Sequence, residues 1–307
     1  MAFCRLCCAL LGLLVAYTPV RAAPPSIVVV TSERSASYDE VIAALAARLA
    51  QGGISAGELA ILTPDEMHKQ AGASPRLWVV LGTTAAQVLD NLESKAPRLH
   101  LLQTRHSFLE IGARHRLRSP ISAIFLDQPV SRQLQLLRLA FPERKRIGLL
   151  LGPVSQMQEP AFRTAAADLG LTIDSSLVEG SESLYPALHR LLDKADVLLA
   201  VADPAVYNTN TLQNILLSTF RARVPLAAFS PAYVKAGALL ALYSMPAQIG
   251  NQAGRVALAV LQGGPLPAPQ YPADFTVSVN AHVARALGVS LNEADLTARL
   301  RRLETTP

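Results

Sequence analysis

The chain is poor in charged residues and in cysteine, and each of these two shortages excludes a class of protein. Only 17% of its 307 residues are charged whereas 50% are hydrophobic, which excludes an intrinsically disordered chain. Aromatic residues make up 5%, and the three cysteines all lie within the first eight residues, at Cys4, Cys7 and Cys8. A disulfide-stabilised scaffold is therefore excluded. What remains is a globular protein, and its length predicts two domains.

The first 22 residues have the organisation of a secretory signal peptide. Arg5 precedes an apolar run at 6–15, and small residues around Ala22 provide a cleavage point. The run is shorter than the roughly 20 apolar residues that a transmembrane helix needs, which favours a cleaved leader over the alternative, an uncleaved anchor. We therefore expect a periplasmic protein whose mature chain has no cysteine.

Charge gives no argument for a nucleic-acid partner. Cleavage would remove Arg5 and Arg21 from the 28 basic residues of a chain with 23 acidic ones, so that the mature protein is nearly neutral. One local basic cluster, at 114–118, is interpreted as a solvated loop.

From residue 27 onward, short apolar runs alternate with longer amphipathic segments, the pattern of a parallel α/β fold. Strands of a first unit are predicted at 27–31, 59–62, 77–81, 99–103 and 122–126. After a break at Pro129, strands of a second unit are predicted at 146–151, 171–178, 197–201, 226–229 and 238–243. The tail adds a helix at 246–261, a Gly/Pro-rich segment, a strand at 275–279 and two further helices.

No recognised catalytic, nucleotide or metal motif is present. The sequence has no GxGxxG, no GxxxxGK[ST], no HExxH and no GxSxG, and its six histidines lack the spacing of a zinc site. We predict no cofactor, no metal site and no enzymatic activity. A hydrolase built from dispersed serines and carboxylates stays the alternative of a different class.

Polar residues follow four of the predicted strands, where open α/β sheets bind ligands. They lie in the segments 31–38, 82–85, 202–208 and 229–233. Hydroxyl and backbone N–H groups at a helix start, as at Thr83 and Thr84, would suit a carboxylate or another anion. Each segment taken alone also fits a helix N-cap, a turn or a packing residue.

Several stretches resemble a known family. They are Phe125-Leu126-Asp127-Gln128-Pro129, the segment 145–153, the segment 231–238, Pro246-Ala247-Gln248-Ile249-Gly250 and the segment 277–284. In their order and spacing the chain resembles the type I periplasmic substrate-binding proteins of ABC transporters, in the tryptophan/tyrosine-permease-like branch. The resemblance covers residues 27 to 290.

This resemblance implies an α/β protein with two Rossmann-like lobes, built on parallel sheets and joined by three crossovers. Lobe I would comprise residues 24–126 plus 246–270, and lobe II residues 127–245 plus 275–307. The crossovers would lie near 127–129, 243–246 and 271–275, with Gln128, Tyr243 and Ser244 as hinge residues.

The resemblance and the loop positions together predict eight ligand-binding residues, four from each lobe. They are Ser35, Tyr38, Thr83 and Thr84 of lobe I, and Asp203, Tyr207, Ser230 and Tyr233 of lobe II. Ser230 departs from the aspartate that amino-acid and sugar binders of this type tend to carry. A serine attracts an ammonium group less strongly, which leaves Asp203 to meet a cation.

The function we expect is that of a periplasmic solute-binding component of an ABC uptake system. It would act as a monomer, capture a small polar or aromatic molecule between two closing lobes, and deliver it to an ABC permease. The alternative is a ligand-sensing module of the same fold that acts on a membrane receptor.

Overall fold

A computed structural model describes residues 25–67, 74–92, 94–114 and 119–305. The predicted signal peptide at residues 1–22 lies outside these ranges, as do residues 115–118 of the basic cluster. Within the described ranges, no helix combines the length and the apolar character needed to cross a membrane.

The amino-terminal half forms a five-stranded parallel sheet with the strand order β2-β1-β3-β4-β5. Its strands are β1 (Ile27–Thr31), β2 (Leu59–Leu62), β3 (Leu77–Leu81), β4 (Arg98–Gln103) and β5 (Ile121–Phe125). Every residue of β1 and β3 is buried, because helices cover both faces of the sheet. A strand that is buried on both faces consists of a continuous apolar run, which explains why β1 and β3 could be predicted from the sequence.

The second sheet has six strands in the order β11-β10-β9-β8-β6-β7. They are β6 (Arg146–Leu151), β7 (Thr172–Leu177), β8 (Val197–Leu199), β9 (Leu226–Ala228), β10 (Leu240–Tyr243) and β11 (Thr276–Val279). All pairings are parallel except that of β11, which runs antiparallel to β10. The expectation of parallel sheets is thus correct apart from this one edge strand.

Helices pack on both sheets. In the first half they are α1 (Ala36–Gln51), α2 (Pro64–Met67), α3 (Thr83–Asp90) and α4 (Arg105–Arg114). The second half has α5 (Val130–Ala140), α6 (Glu159–Asp168), α7 (Leu184–Leu192), α8 (Leu212–Arg221) and α9 (Pro231–Ala236). The tail contributes α10 (Pro246–Leu261), α11 (Ala281–Ala286) and α12 (Glu293–Thr305).

Helix α10 follows the second sheet in sequence but packs on the first. Its buried residues Ile249, Ala253 and Ala257 belong to the same apolar cluster as residues of α1. The two helices approach closely at Gly250, where an added Cβ would overlap the carbonyl oxygen of Val41. The tail thus returns to the first half of the molecule before it adds β11 to the second sheet.

The chain passes between the two sheets three times. It leaves β5 for α5 at 126–129, leaves β10 for α10 at 244–245, and leaves α10 for β11 at 262–275. Gln270 still pairs with Ile124 of β5 in an isolated bridge. The lobe boundaries expected from the sequence stay a prediction, and these passages are what support them.

Three helices of the structure were not predicted from the sequence. The sequence analysis placed no helix at α2 or α4, and it treated residues 229–233 as a loop, whereas α9 begins at Pro231. Helix α9 has six residues, with Pro231 at its first position and Ser230 as its N-cap. So short a helix gives no apolar periodicity in the sequence, although Pro at the first position is a usual start signal.

Candidate functional site

A cavity of about 420 Å³ lies between the two sheets, at the carboxyl ends of their parallel strands. Thr104 follows β4, Leu126 follows β5, and Ala200, Phe229 and Ser244 follow β8, β9 and β10. Carboxyl strand ends are where open α/β sheets present their loops to ligands. The volume is in the range of small-molecule sites.

The lining of the cavity combines apolar side chains with polar ones that are mostly uncharged. The apolar contributions come from Leu126, Val201, Phe229, Pro231, Leu242, Met245 and Pro246. Hydroxyl and amide side chains come from Ser37, Thr104, Gln128, Gln133, Gln158, Ser230 and Ser244. A lining of this composition can bind an apolar body while it orients polar groups through hydrogen bonds.

Two carboxylates complete the lining, Glu40 from α1 and Asp127 from the segment after β5. Glu40 Oε1 accepts a hydrogen bond of 3.4 Å from the backbone N–H of Ala247, which lies in the first turn of α10. Asp127 Oδ2 accepts one from the backbone N–H of Arg105, the first residue of α4. Both carboxylates are thus positioned at helix N-termini, where a negative charge is favoured.

Burial raises the pKa of the Asp127 carboxyl. The loss of hydration outweighs the hydrogen bonds from the backbone N–H groups of Arg105 and of Asp127 itself, and the attraction of Arg105 and His106. Desolvation destabilises the charged form of a carboxyl group. Asp127 therefore has a charge that the surrounding protein only partly compensates.

All three predicted hinge residues line this cavity. Gln128 is buried, and its Nε2 donates to Ser244 Oγ at 2.9 Å. Ser244 Oγ donates to the carbonyl oxygen of Asp274 at 2.6 Å, and the Tyr243 hydroxyl is 2.8 Å from Ser278 Oγ. These contacts join the three passages between the sheets, but the role of the three residues as a hinge stays a prediction.

The four predicted lobe I residues lie at the start of α1 and α3, outside the lining. Ser35 is the N-cap of α1, and its Oγ accepts from the backbone N–H of Tyr38 at 3.4 Å. Thr83 and Thr84 are exposed in the first turn of α3. Their role in ligand binding stays a prediction.

Ser32 connects these two helix starts. It donates to the carbonyl oxygen of Leu81 at 2.9 Å and accepts from the backbone N–H of Ala85 at 2.9 Å. The sequence analysis placed Ser32 in a polar loop but gave it no role. It occupies the position of a capping group for α3.

Asp203 is buried and lies outside the lining of the cavity, and its role in ligand binding stays a prediction. It is 2% exposed. Its Oδ2 accepts from the backbone N–H groups of Val154 and Ser155 and from Ser155 Oγ, at 3.0, 2.8 and 2.9 Å. Oδ1 accepts from the backbone N–H of Ala205 at 3.0 Å. This carboxylate links the loops after β6 and β8, and no contact supports the expectation that it meets a ligand cation.

The predicted aromatic residues of lobe II form a cluster behind the lining. Tyr207 and Tyr233 pack edge-on, with ring centroids 6.4 Å apart, and Phe229 packs against both. Tyr207 is 6% exposed, and its hydroxyl has no hydrogen-bond partner among the described residues. Burial raises the pKa of the Tyr207 hydroxyl. These tyrosines support Phe229, which does line the cavity.

Of the eight predicted ligand residues, all of which the structure describes, only Ser230 lines the cavity. The lining residues that the sequence analysis missed include Ser37, Glu40, Thr104, Gln133 and Gln158. Ser37 and Glu40 are three residues apart in the first turns of α1, so they share a face of that helix. In the described parts of the chain, no three His, Cys, Asp or Glu side chains converge as a metal-binding group.

Comparison with known proteins decides the family. A family model for ABC transporter substrate binding proteins matches residues 54–299. The chain belongs to the ABC transporter substrate-binding protein family. It is therefore the solute-binding component of an ABC transporter and not an enzyme, and members of its family act outside the cytoplasm. No curated protein is recognisably similar to it in sequence.

Solved structures show the same fold at low sequence identity. An ABC domain from Streptococcus pneumoniae in complex with L-Trp is 20% identical, with a TM-score of 0.60 over 89% of this chain and 98% of that one. The ligand-free, open form of a substrate-binding protein with adhesive properties from Clostridium difficile is 20% identical, with a TM-score of 0.72 over 87% and 95%.

A third similar structure has a different ligand. It is a solute-binding protein from Agrobacterium vitis bound with α-D-tagatopyranose, 15% identical, with a TM-score of 0.52 over 87% of this chain and 99% of that one. The two-lobed α/β fold of type I periplasmic binding proteins predicted from the sequence is thus confirmed.

Proposed function

We propose that this ABC transporter substrate-binding protein captures a small polar or aromatic solute in the cavity between its two lobes and delivers it to a membrane permease. The observation that carries the proposal is the cavity itself, to which the carboxyl strand ends of both sheets contribute. The similar structures with L-Trp and tagatopyranose bound give precedent for both solute classes.

Capture would work by closure of the two lobes. Lining residues come from both sheets, so a solute that contacts Glu40 on one side and Ser230 on the other interacts better with a closed form than with an open one. A ligand shifts a conformational equilibrium only by its difference in affinity for the two forms. The three passages between the sheets are the segments that would absorb the hinge motion.

Delivery to a permease places the protein outside the cytoplasm, and we propose the periplasm. The support is the leader-like organisation of residues 1–22, with one basic residue, an apolar run and small residues at its end. Amino-terminal sequencing of the exported protein tests this, and a mature chain that begins near Ala23 is the expected result.

Isothermal titration of the purified mature protein against L-amino acids, nucleosides and sugars tests solute capture. We expect at least one compound of the panel to bind with one-to-one stoichiometry. The site is tested with Ala202→Phe, which fills the cavity, and with the matched control Ala205→Phe, which places the same side chain on the exposed side of the same loop.

Filling the cavity should weaken binding at least about tenfold, whereas the control should stay within about twofold of the wild type. If Ala202→Phe binds the solute as tightly as the wild type does, the solute binds elsewhere. No binding by any compound of the panel would contradict solute capture.

A further inference from the structure

The interlobe cavity has an unbalanced charge. Among its lining residues, all of them in the described part of the chain, Glu40 and Asp127 are charged, and no lysine, arginine or histidine is present. The charges of Arg105 and His106 offset part of the rise in the Asp127 pKa that burial causes, but neither side chain lines the cavity. A solute in this cavity therefore meets two negative groups and no positive one.

Both carboxylates are fixed in place without losing their capacity to bind a solute. Each accepts a hydrogen bond from one backbone N–H of a neighbouring helix start, Ala247 for Glu40 and Arg105 for Asp127. An ionised carboxylate offers about four lone-pair sites, so these bonds leave acceptor capacity on each group. Glu40 and Asp127 are both partly exposed, as groups that face a cavity must be.

The remainder of the lining suits the body of a compact organic solute. Leu126, Phe229 and Met245 provide apolar surface, with Leu126 43% and Met245 38% exposed. Exposed apolar side chains that line a cavity favour a partner with an apolar or aromatic part.

From these observations we infer that the cavity selects a cationic solute, with a primary amine or similar group bound by Glu40 and Asp127 and an apolar or aromatic body against Phe229 and its neighbours. The inference rests on the proposed function and specifies its substrate class. Hydrogen bonds between oppositely charged groups are stronger than neutral ones. A solute anion would face two like charges in a partly desolvated site, which opposes its binding.

Three probes with nearly the same body test the inference, namely phenethylamine, 2-phenylethanol and 3-phenylpropionate, which are cationic, neutral and anionic at pH 7. Isothermal titration of the wild-type protein should show the amine binding at least about tenfold more tightly than the alcohol, with the carboxylate weakest.

Variants assign the effect to the two residues. Glu40→Gln and Asp127→Asn keep an oxygen for the Ala247 and Arg105 N–H groups while they remove the charge. Each should weaken amine binding about tenfold and change alcohol binding by less than about twofold, which also shows that the site is still folded. The matched control is Glu33→Gln, which removes an exposed carboxylate from the loop before α1 that does not line the cavity.

The possible results separate this inference from the function on which it rests. If sugars, neutral amino acids or 3-phenylpropionate bind and phenethylamine does not, solute capture stands and cation selectivity is wrong. Equal losses of amine binding in Glu33→Gln and Glu40→Gln would also overturn it, because a general field effect would explain them. If no probe and no compound of the wider panel binds, both solute capture and cation selectivity are contradicted.

Discussion

Gln128 and Ser244, which are 116 positions apart in the sequence, are joined by a hydrogen bond of 2.9 Å from the glutamine Nε2 to the serine Oγ. The bond links the first passage between the sheets to the second. Arg132 Nη1 extends the network, since it donates to Gln128 Oε1 at 2.7 Å and to the carbonyl oxygen of Pro272 at 2.9 Å. All three passages are thus connected by one buried set of hydrogen bonds.

Replacing Ser244 should destabilise the protein, because the hydroxyl both accepts from Gln128 and donates to the carbonyl oxygen of Asp274. Ser244→Ala leaves a buried donor and a carbonyl without their partner, which costs about 1–3 kcal/mol of unfolding free energy. Chemical denaturation measures this. The control Ser230→Ala, at a helix start whose side chain makes no capping bond, should stay within about 0.5 kcal/mol.

Asp203→Asn tests whether this carboxylate is structural. An amide cannot accept at both positions, so some of the four hydrogen bonds to Val154, Ser155 and Ala205 are lost. We expect a loss of about 1–3 kcal/mol in stability. Asp168→Asn, at an exposed position near the end of α6, should have little effect. Solute affinity of Asp203→Asn, measured where it is fully folded, should be unchanged, and a selective loss of affinity would instead make Asp203 a ligand contact.

The raised pKa of Asp127 predicts that charge removal at this position stabilises the solute-free protein. The folded state holds a proton on Asp127 to higher pH than the unfolded state does, so the unfolding free energy falls as the pH rises through that window. At pH 7 the melting temperature of Asp127→Asn should therefore be higher than that of the wild type. The difference in melting temperature between Asp127→Asn and the wild type should become smaller as the pH falls below the usual pKa range of carboxyl groups. A lower melting temperature at pH 7 would show that the negative charge itself stabilises the fold.

The close contact between α10 and α1 predicts that Gly250→Ala is destabilising. Its new Cβ would overlap the carbonyl oxygen of Val41 and approach Ala44 Cβ to 2.9 Å. Because the added methyl group pushes the two helices apart, the unfolding free energy should fall by about 1–3 kcal/mol. The matched control is Gly112→Ala in α4, where the nearest atom is Ile121 Cδ1 at 3.7 Å. That change should be neutral or stabilising by up to about 1 kcal/mol, because alanine favours a helix.

Buried elements were the most predictable part of the fold. The bounds of β1, β2, β3, β6 and α10 match the expectations to the residue. Buried strands need unbroken apolar runs, and a helix that packs on one side needs apolar residues at helical spacing, so both patterns are local. Helices α2 and α9 were missed because they have only four and six residues, too few to give an apolar periodicity in the sequence.

The candidate site was less predictable than the fold. Ser230 and the three hinge residues were expected and do line the cavity, whereas Glu40, Thr104 and Gln158 were not named. A polar residue after a strand has the same local pattern whether it caps a helix, links two loops or faces a solute. Asp203 shows this, because its position suggested a ligand contact and its carboxylate is engaged by Ser155 and three backbone N–H groups.

The sequence by itself determined the two α/β units, the breaks between them and the family resemblance, because each depends on patterns within short segments. Only the tertiary structure decided which carboxylates face the cavity. Glu40 and Asp127 are 87 positions apart in the sequence. They reach one cavity because the start of α1 and the segment after β5 both lie at the carboxyl ends of the parallel strands of the first sheet. Contacts between distant segments depend on how the sheets and helices pack, and no local pattern records them.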